Sequence, residues 1–493
     1  MREQLPALII IVPLLAALAA PLIAYLSTRL LRIVIIGAIL VSHLSALGTL
    51  LRVLAEGPWH YRFGGWLPPW GIEYVIDPLS GSMAVLISFI SLVVAIYSGP
   101  FFKADTWLRK GIFYALYALL TTGLLGMVVT GDVFNLYVFL EISSLAAYAL
   151  IASGGHKATV AAFRYLLIGT VGASFYLLGI GYLYAITGSL NMADLVHRLQ
   201  PLMDSPAVLT AVVMLVVGMG IKMALFPMHG WLPDAYTYAP PPATAFISGV
   251  MTKVSAYVLF RFFFFVLGAM NGPVPAALTV VGWAAAVGII IGSVMAIAQT
   301  DFRRMLAYSS VAQIGYIALG LAIGNTFALI GAVLHILNHA VMKSCLFLVA
   351  GGVKWKTGEH TIEKYAELSR RMPLTMGAFL IAALSMVGLP PTAGFFSKWY
   401  LVLGAMEARM WPYIVVIILS SLLNAVYFFR VIEHVYMKKA EPKATEENGG
   451  GRELPVAMLV PIVLLGVGIL VIGVLNEPIV TQILQYALPG GGR

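Results

Sequence analysis

Charge is scarce in this chain. Of its 493 residues only 10% are Asp, Glu, Lys or Arg, against about 25% in a soluble domain. So few charges exclude an ordinary water-facing globule of this length. Cysteine is nearly absent: Cys345 stands alone, which excludes an internal disulfide and a thiolate metal centre. The chain also has no phosphate-binding glycine loop, nucleophile elbow, haem pair or paired-cysteine motif. The short alternating segments of an outer-membrane barrel are missing too. The net charge of +9 does not point to nucleic acid, because the basic residues sit in short loops between apolar runs.

What remains is apolar sequence, 60% of the chain. The hydrophobic runs predict an all-α polytopic membrane protein with about 14 spans. They lie near 6–27, 30–52, 79–99, 111–130, 132–152, 160–187, 206–229, 242–268, 275–298, 301–323, 326–351, 374–403, 411–435 and 456–476. The first run contains Ala17-Leu18-Ala19, which looks like a cleavage site. It is long enough to span, however, and Arg29 and Arg32 follow it, so it reads as a retained helix. Loops of odd number hold most of the Lys and Arg, among them Arg109, Lys110, Arg303, Arg304, Lys354 and Lys356. The positive-inside rule then puts these loops in the cytoplasm and both termini outside. The stretch 438–455 is polar and reads as a flexible cytoplasmic linker before the last helix.

Two spans are too long to be plain helices. The seventh runs through Pro227 and Pro233, the twelfth through Gly388-Leu389-Pro390-Pro391. Proline removes a backbone donor and clashes with the preceding turn, so both are expected to break. Paired broken helices in corresponding halves of a membrane chain point to a transport path.

Against this background a few ionisable residues stand out. Glu141, Lys222, Lys253, His335, His339 and Lys343 lie inside apolar runs, and Lys398 follows the second break. Each charge in hydrocarbon costs at least ~2.5–3.5 kcal/mol, so they are expected to be used. Glu141 is roughly 13 Å into its helix at 1.5 Å per residue, too deep to reach water along the axis. A Glu141–Lys222 pair that separates would switch the lysine between holding and releasing a proton. His335, His339 and Lys343 are spaced i, i+4, i+8 and share one helix face. Imidazole accepts on one nitrogen and donates from the other, which suits a proton relay. Metal binding is disfavoured, since His335-Ile336-Leu337-Asn338-His339 lacks the glutamate of a zinc helix. Arg261 is open between packing and function. His229 and Asp234 flank the first break and form a candidate input site.

At these residues the chain resembles a known family. Lys222-Met-Ala-Leu-Phe-Pro-Met-His-Gly-Trp-Leu-Pro-Asp-Ala-Tyr-Thr-Tyr-Ala-Pro-Pro-Pro-Ala-Thr-Ala and Gly388-Leu-Pro-Pro-Thr-Ala-Gly-Phe-Phe-Ser-Lys398 are similar to signatures of the antiporter-like subunits of respiratory complex I and the Mrp cation/proton antiporters. Length and the spacing around Glu141 look most similar to the D-type subunit of Mrp antiporters, with the homologous subunit of membrane-bound hydrogenases very close. The resemblance implies two inverted five-helix repeats, helices 4–8 and 9–13, so that the chain divides as 1–110, 111–268, 275–437, 438–455 and 456–493. It implies that Glu141 and Lys222 form a modulating pair, Lys253 a central relay, and Lys398 the lysine of the second half. His335, His339 and Lys343 fall on the helix joining the halves. The expected function is proton translocation in a multisubunit Na⁺/H⁺ antiporter of a prokaryotic cell membrane. The alternative is a proton-pumping subunit of a redox-driven complex. No cofactor, metal or nucleic acid is expected. The expected partners are other membrane subunits, lipid, protons and Na⁺.

Overall fold

The computed structural model describes residues 2–439 and 453–489. Helices α1 (Leu5–Leu26), α2 (Thr28–Glu56), α3 (Pro78–Phe101), α4 (Trp107–Val129), α5 (Val133–Ala152) and α6 (His156–Thr187) come first. The seventh span is two pieces, α7a (Pro206–Met223) and α7b (Leu232–Tyr238). Then follow α8 (Pro241–Val266), α9 (Val274–Ile297), α10 (Phe302–Ile323) and α11 (Thr326–Thr357). The twelfth span is again two pieces, α12a (Pro373–Val387) and α12b (Ala393–Glu407), before α13 (Trp411–Tyr436) and α14 (Val456–Val474). Thirteen helices among the described residues are long and apolar enough to cross a membrane. The twelfth span falls short of that length only because its break divides it.

Both breaks start four residues before a proline. A proline ring clashes with the carbonyl four residues back and offers it no N–H. Pro227 therefore ends α7a at Met223, and Pro391 ends α12a at Val387. Each end is closed by a left-handed residue, Ala224 (φ 61°) and Gly388 (φ 96°). At the first, the Ala224 amide donates to the Ile221 carbonyl and the Leu225 amide to that of Gly220, the Schellman arrangement. The halves of the twelfth span then pass so closely that a Cβ on Gly394 would lie 1.9 Å from the Ser385 carbonyl.

Helix α11 is the centre of the bundle, with 94% of an apolar 18-residue stretch of it buried. α10, α12b, α12a and α14 pack around it, and α8 lies against it from the other half. α8 is not a regular helix: it widens into π-turns at Ile247–Met251 and Phe262–Val266.

The loop expected at 53–78 holds a hairpin that hydropathy did not reveal, β1 (Trp59–Arg62) antiparallel to β2 (Glu73–Ile76). It closes one end of the bundle. The buried Glu73 accepts from Asn191 at 2.9 Å, and the Gly131 amide donates to the Glu73 carbonyl. Asp77 caps α3 through a capping box with Ser80. Arg261, left open by the sequence, meets the same carboxylate with two hydrogen bonds of 2.5 and 2.9 Å. Asp77 is thus a structural clamp between α3 and α8. Most of the expected 438–455 linker, 440–452, lies outside the described residues. Its end is anchored: the Glu453 carboxylate accepts from the Leu374 and Thr375 amides at the start of α12a.

Asp77 also gives a pH prediction. Burial pushes its carboxyl up, but the Arg261 guanidinium and the Ser80 hydrogen bonds outweigh this and hold it below the usual carboxylate range. Its contribution to stability is therefore full at neutral pH. It is lost as pH falls through and below the ordinary carboxylate value of about 4. Asp77→Asn should cost roughly 3–5 kcal/mol, because it strands Arg261 in a buried site. Thermal unfolding in detergent from about pH 5 down to about pH 2 should show the pH slope flattened in Asp77→Asn. An unchanged slope would exclude the clamp.

Candidate functional site: a buried line of lysines and histidines

Lys222 occupies the last turn of α7a, next to the break. Only 1% of it is exposed. Its ammonium donates to the Ser144 hydroxyl at 2.8 Å and the Tyr148 hydroxyl at 3.2 Å, both on α5. Glu141 lies one turn from Ser144 on the same helix, close enough for its charge to act on Lys222. The expected Glu141–Lys222 ion pair is not formed; two hydroxyls hold the lysine in its place. Glu141 is also less enclosed than its depth implied. It is partly exposed, on a flank of α5 where Phe134, Val138 and Leu145 face out of the subunit. Depth along a helix does not fix which side the residue faces. One Glu141 oxygen, Oε1, is shielded and without a partner among the described residues.

The break leaves backbone to be satisfied. The Trp231 indole donates to the Ile221 carbonyl at 2.8 Å and stacks on Tyr165 at 3.6 Å. Irregular backbone at membrane depth is tolerated only under such cover.

Lys253 follows the first π-turn of α8 and is fully buried. Its ammonium donates to the Ser248 carbonyl, inside that turn. A π-turn opens the i→i−4 ladder and leaves carbonyls available. Lys253 faces α11 closely enough for its charge to act on His335, His339 and Lys343. Those three share one buried face, as their spacing predicted. The two imidazoles stack, centroids 5.8 Å apart at 13°. His335 bonds the Ser397 hydroxyl at 2.9 Å through Nδ1 and Gln313 Oε1 at 3.1 Å through Nε2. Neither ring nitrogen of His339 has a protein partner among the described residues. Lys343 donates to the Leu306 carbonyl at 2.7 Å and to the Ser309 hydroxyl.

Lys398 lies on α12b and reaches back across the break. It donates to the Met386 and Val387 carbonyls at 2.9 and 3.0 Å, and to the Ser421 hydroxyl at 3.2 Å. These carbonyls end α12a, where the helix dipole is negative. Tyr316 sits between Lys398 and His335, 5.0 Å and 5.4 Å from them at its ring centre.

The expected input pair does not come together. Asp234 bridges Arg304 at 2.9 Å and Arg164 at 3.1 Å, at the bundle end opposite the hairpin. His229 stacks on Phe226 at 5.4 Å within the break. The groups that sequence reasoning missed are the neutral connectors Ser144, Tyr148, Ser309, Gln313, Tyr316, Ser397 and Ser421. Ser144 and Tyr148 follow Glu141 by three and seven residues, a helical stripe that was readable. Among the described residues, no three His, Cys, Asp or Glu side chains gather as a metal site requires.

Four buried lysines thus rest on hydroxyls and carbonyls, and Glu141 is the carboxylate whose charge reaches this line. Like charges in such a site repel; at about 10 Å and an effective dielectric near 20 the cost is roughly 1.7 kcal/mol per pair. A proton gained by one site therefore disfavours protonation of its neighbours, which is the coupling a relay needs.

Residues 130–424 match the family described as NADH:quinone oxidoreductase/Mrp antiporter, transmembrane. The chain belongs to this family. It is a multi-pass membrane protein of the antiporter-like type. It is 58% identical over 498 residues to the N-type subunit of the NADH-quinone oxidoreductase of Desulforudis audaxviator, covering 99% of both chains. It is 32% identical over 454 residues to the D-type subunit of the Na⁺/H⁺ antiporter of Alkalihalophilus pseudofirmus, covering 92% of this chain and 90% of that one. The fold superposes on a chain of the Mrp complex of Dietzia sp. with TM-score 0.89 at 25% identity, covering 99% and 98%. The antiporter-like fold is therefore shared with Mrp, while sequence identity is higher to the oxidoreductase relative than to the antiporter relative. This reverses the within-family preference drawn from length and spacing around Glu141, features that homologous subunits share.

The hydroxyl seat of Lys222 can be tested. Ser144→Ala with Tyr148→Phe should lower proton translocation by about 10-fold or more, since a hydrogen bond to a charged group is worth about 1.5–3 kcal/mol. Proton uptake into inverted vesicles measures this. A wild-type rate in an assembled double variant would mean that the seat has no part in turnover.

Proposed function

We propose that this chain is the proton-translocating membrane module of a redox-driven complex. It holds no redox centre of its own and moves protons when its partners drive it. The observation that carries this is the buried line itself. Lys222, Lys253, His335, His339, Lys343 and Lys398 run past both helix breaks and along the central helix α11, with Glu141 on the flank of α5 within reach of Lys222. The redox-driven parent is favoured by the 58% identity to a relative named for NADH-quinone oxidoreductase. The second reading, membership of a monovalent cation/proton antiporter, is favoured by the 32% identity to a relative named for a Na⁺/H⁺ antiporter. Both readings need the same proton path.

In the proposed cycle the stack His335–His339 passes protons between Lys253, Lys343 and Lys398. Lys222 receives or returns a proton as the Glu141 carboxylate moves toward or away from it. Ser144 and Tyr148 keep the lysine oriented while the two are apart. The proposal includes two inverted repeats, 111–268 and 275–437. In its support, each break falls in the fourth helix of its five. It also places the odd-numbered loops in the cytoplasm of a prokaryote and both termini outside.

Glu141→Ala, Lys222→Ala and Lys253→Ala should each abolish proton movement in complexes that still assemble. Inverted vesicles separate the two parents. Acidification driven by a reduced electron donor, and insensitive to Na⁺, is expected. Collapse of an imposed pH gradient on adding Na⁺, with no response to the donor, would select the antiporter. Wild-type proton movement in an assembled Glu141→Ala variant would remove the modulating role of Glu141.

A further inference from the structure

One cluster of cations takes no part in the buried line. At the bundle end away from the hairpin, the start of α2, the end of α3 and the start of α4 enclose a cavity of about 260 Å³. Arg29, Arg32, Lys103 and Lys110 line it, and none of its lining residues is acidic. Among the described residues, the nearby Asp105 is taken by Arg109 at 2.7 Å. Lys110 donates to the Lys103 carbonyl, at 3.1 Å.

The cavity is built around Arg32. Its Nε is shielded from solvent and has no acceptor among the described residues. A Cβ on residue 99 would lie 1.9 Å from Arg32 Nη2, so the guanidinium has its seat only because residue 99 is glycine. Tyr114, held by Ser98 at 2.9 Å, flanks the other side. A guanidinium with an unused donor in a sheltered site is costly unless an anion completes it. The N-terminus of α2, a 29-residue helix whose Leu30 amide is held by the Ser27 cap, adds its positive dipole end.

The surroundings say which anion. Leu26, Leu30 and Ile33, beside the cavity mouth, are 76%, 45% and 62% exposed. Tyr25 and Trp107 meet edge to face there at 5.3 Å, the amphipathic aromatics found at headgroup depth. A ligand that fits is anionic at one end and apolar at the other. We infer that this cavity binds the phosphate of an anionic phospholipid, with Arg32 as a forked donor, Arg29, Lys103 and Lys110 around it, and the acyl chains along α1 and α2. Basic pockets between helices suit such headgroups, and arginine matches a phosphate with two parallel hydrogen bonds.

The test uses the intact complex, delipidated and reconstituted in phosphatidylcholine vesicles with increasing phosphatidylglycerol, with retained lipid read by native mass spectrometry. Wild type should keep phosphatidylglycerol in preference to phosphatidylcholine. Arg32→Gln with Lys110→Gln should weaken retention by on the order of 10-fold. Gly99→Ala should weaken it too, without changing any charge, by displacing the guanidinium. Arg109→Gln, already paired outside the cavity, should have little effect. If Arg32→Gln fails to assemble, Lys103→Gln with Lys110→Gln, on the more exposed rim, takes its place. Equal retention in wild type and variants, or no preference over phosphatidylcholine, overturns the inference. A parallel titration with inorganic phosphate separates the sources. Release of phosphatidylglycerol by millimolar phosphate would assign the cavity to the free ion and overturn the lipid assignment.

Discussion

A backbone carbonyl left without a donor at membrane depth has no water to turn to, and much of this structure answers that constraint. The Val387 and Met386 carbonyls at the end of α12a take the Lys398 ammonium. The Ser248 carbonyl in the π-turn of α8 takes Lys253. The Ile221 carbonyl at the end of α7a, which already accepts from the Ala224 amide, takes the Trp231 indole as a second donor. In two of the three cases the donor is a lysine on the proposed path. Helix breaks and buried charge are therefore one arrangement: the irregular backbone needs a donor, and the ammonium needs an acceptor that is not a carboxylate. A lysine held by carbonyl dipoles can give up its proton without leaving an ion pair to be pulled apart.

The two halves use this arrangement differently. Lys222 precedes its break and points away to hydroxyls of α5; Lys398 follows its break and reaches back to the carbonyls. The first lysine is thus within the influence of Glu141, which sits on a partly exposed flank and can respond to whatever packs there. The second is locked to the carbonyls at the end of α12a and neighbours Tyr316, which in turn contacts His335. In the proposed mechanism, Lys222 is therefore the lysine modulated from its side, and Lys398 the fixed station.

The positions of the lysines, histidines and breaks were legible because each violates a strong rule: charge in hydrocarbon, or proline in a helix. The breaks even fell where proline chemistry puts them, four residues upstream. What was not legible depends on orientation. Glu141 is as deep as counted but faces partly outward, and the direct pair with Lys222 is replaced by Ser144 and Tyr148. Those residues are unremarkable in a membrane helix, where serine and tyrosine pass as packing. The π-turns of α8 carry no proline to announce them. The hairpin at Trp59–Arg62 was hidden because a hydropathy reading treats any polar stretch between spans as loop. The ion pairs of Asp234 with Arg164 and Arg304 join residues 70 positions apart, which no local pattern shows.

The gap at His339 bears on how the line conducts. His335 has both nitrogens engaged, by Ser397 and Gln313, so its tautomer is constrained by neighbours on α12b and α10. His339 stacks on it with neither nitrogen engaged by the described residues. Hydrogen bonds from α10 and α12b fix the His335 ring, whereas His339 is held by packing and by the stack. On the proposed path, His335 is thus the ring whose orientation its protein neighbours set, and His339 the one placed by stacking and packing alone. The polar contacts of His335 therefore matter on that proposed path as much as the lysines on either side.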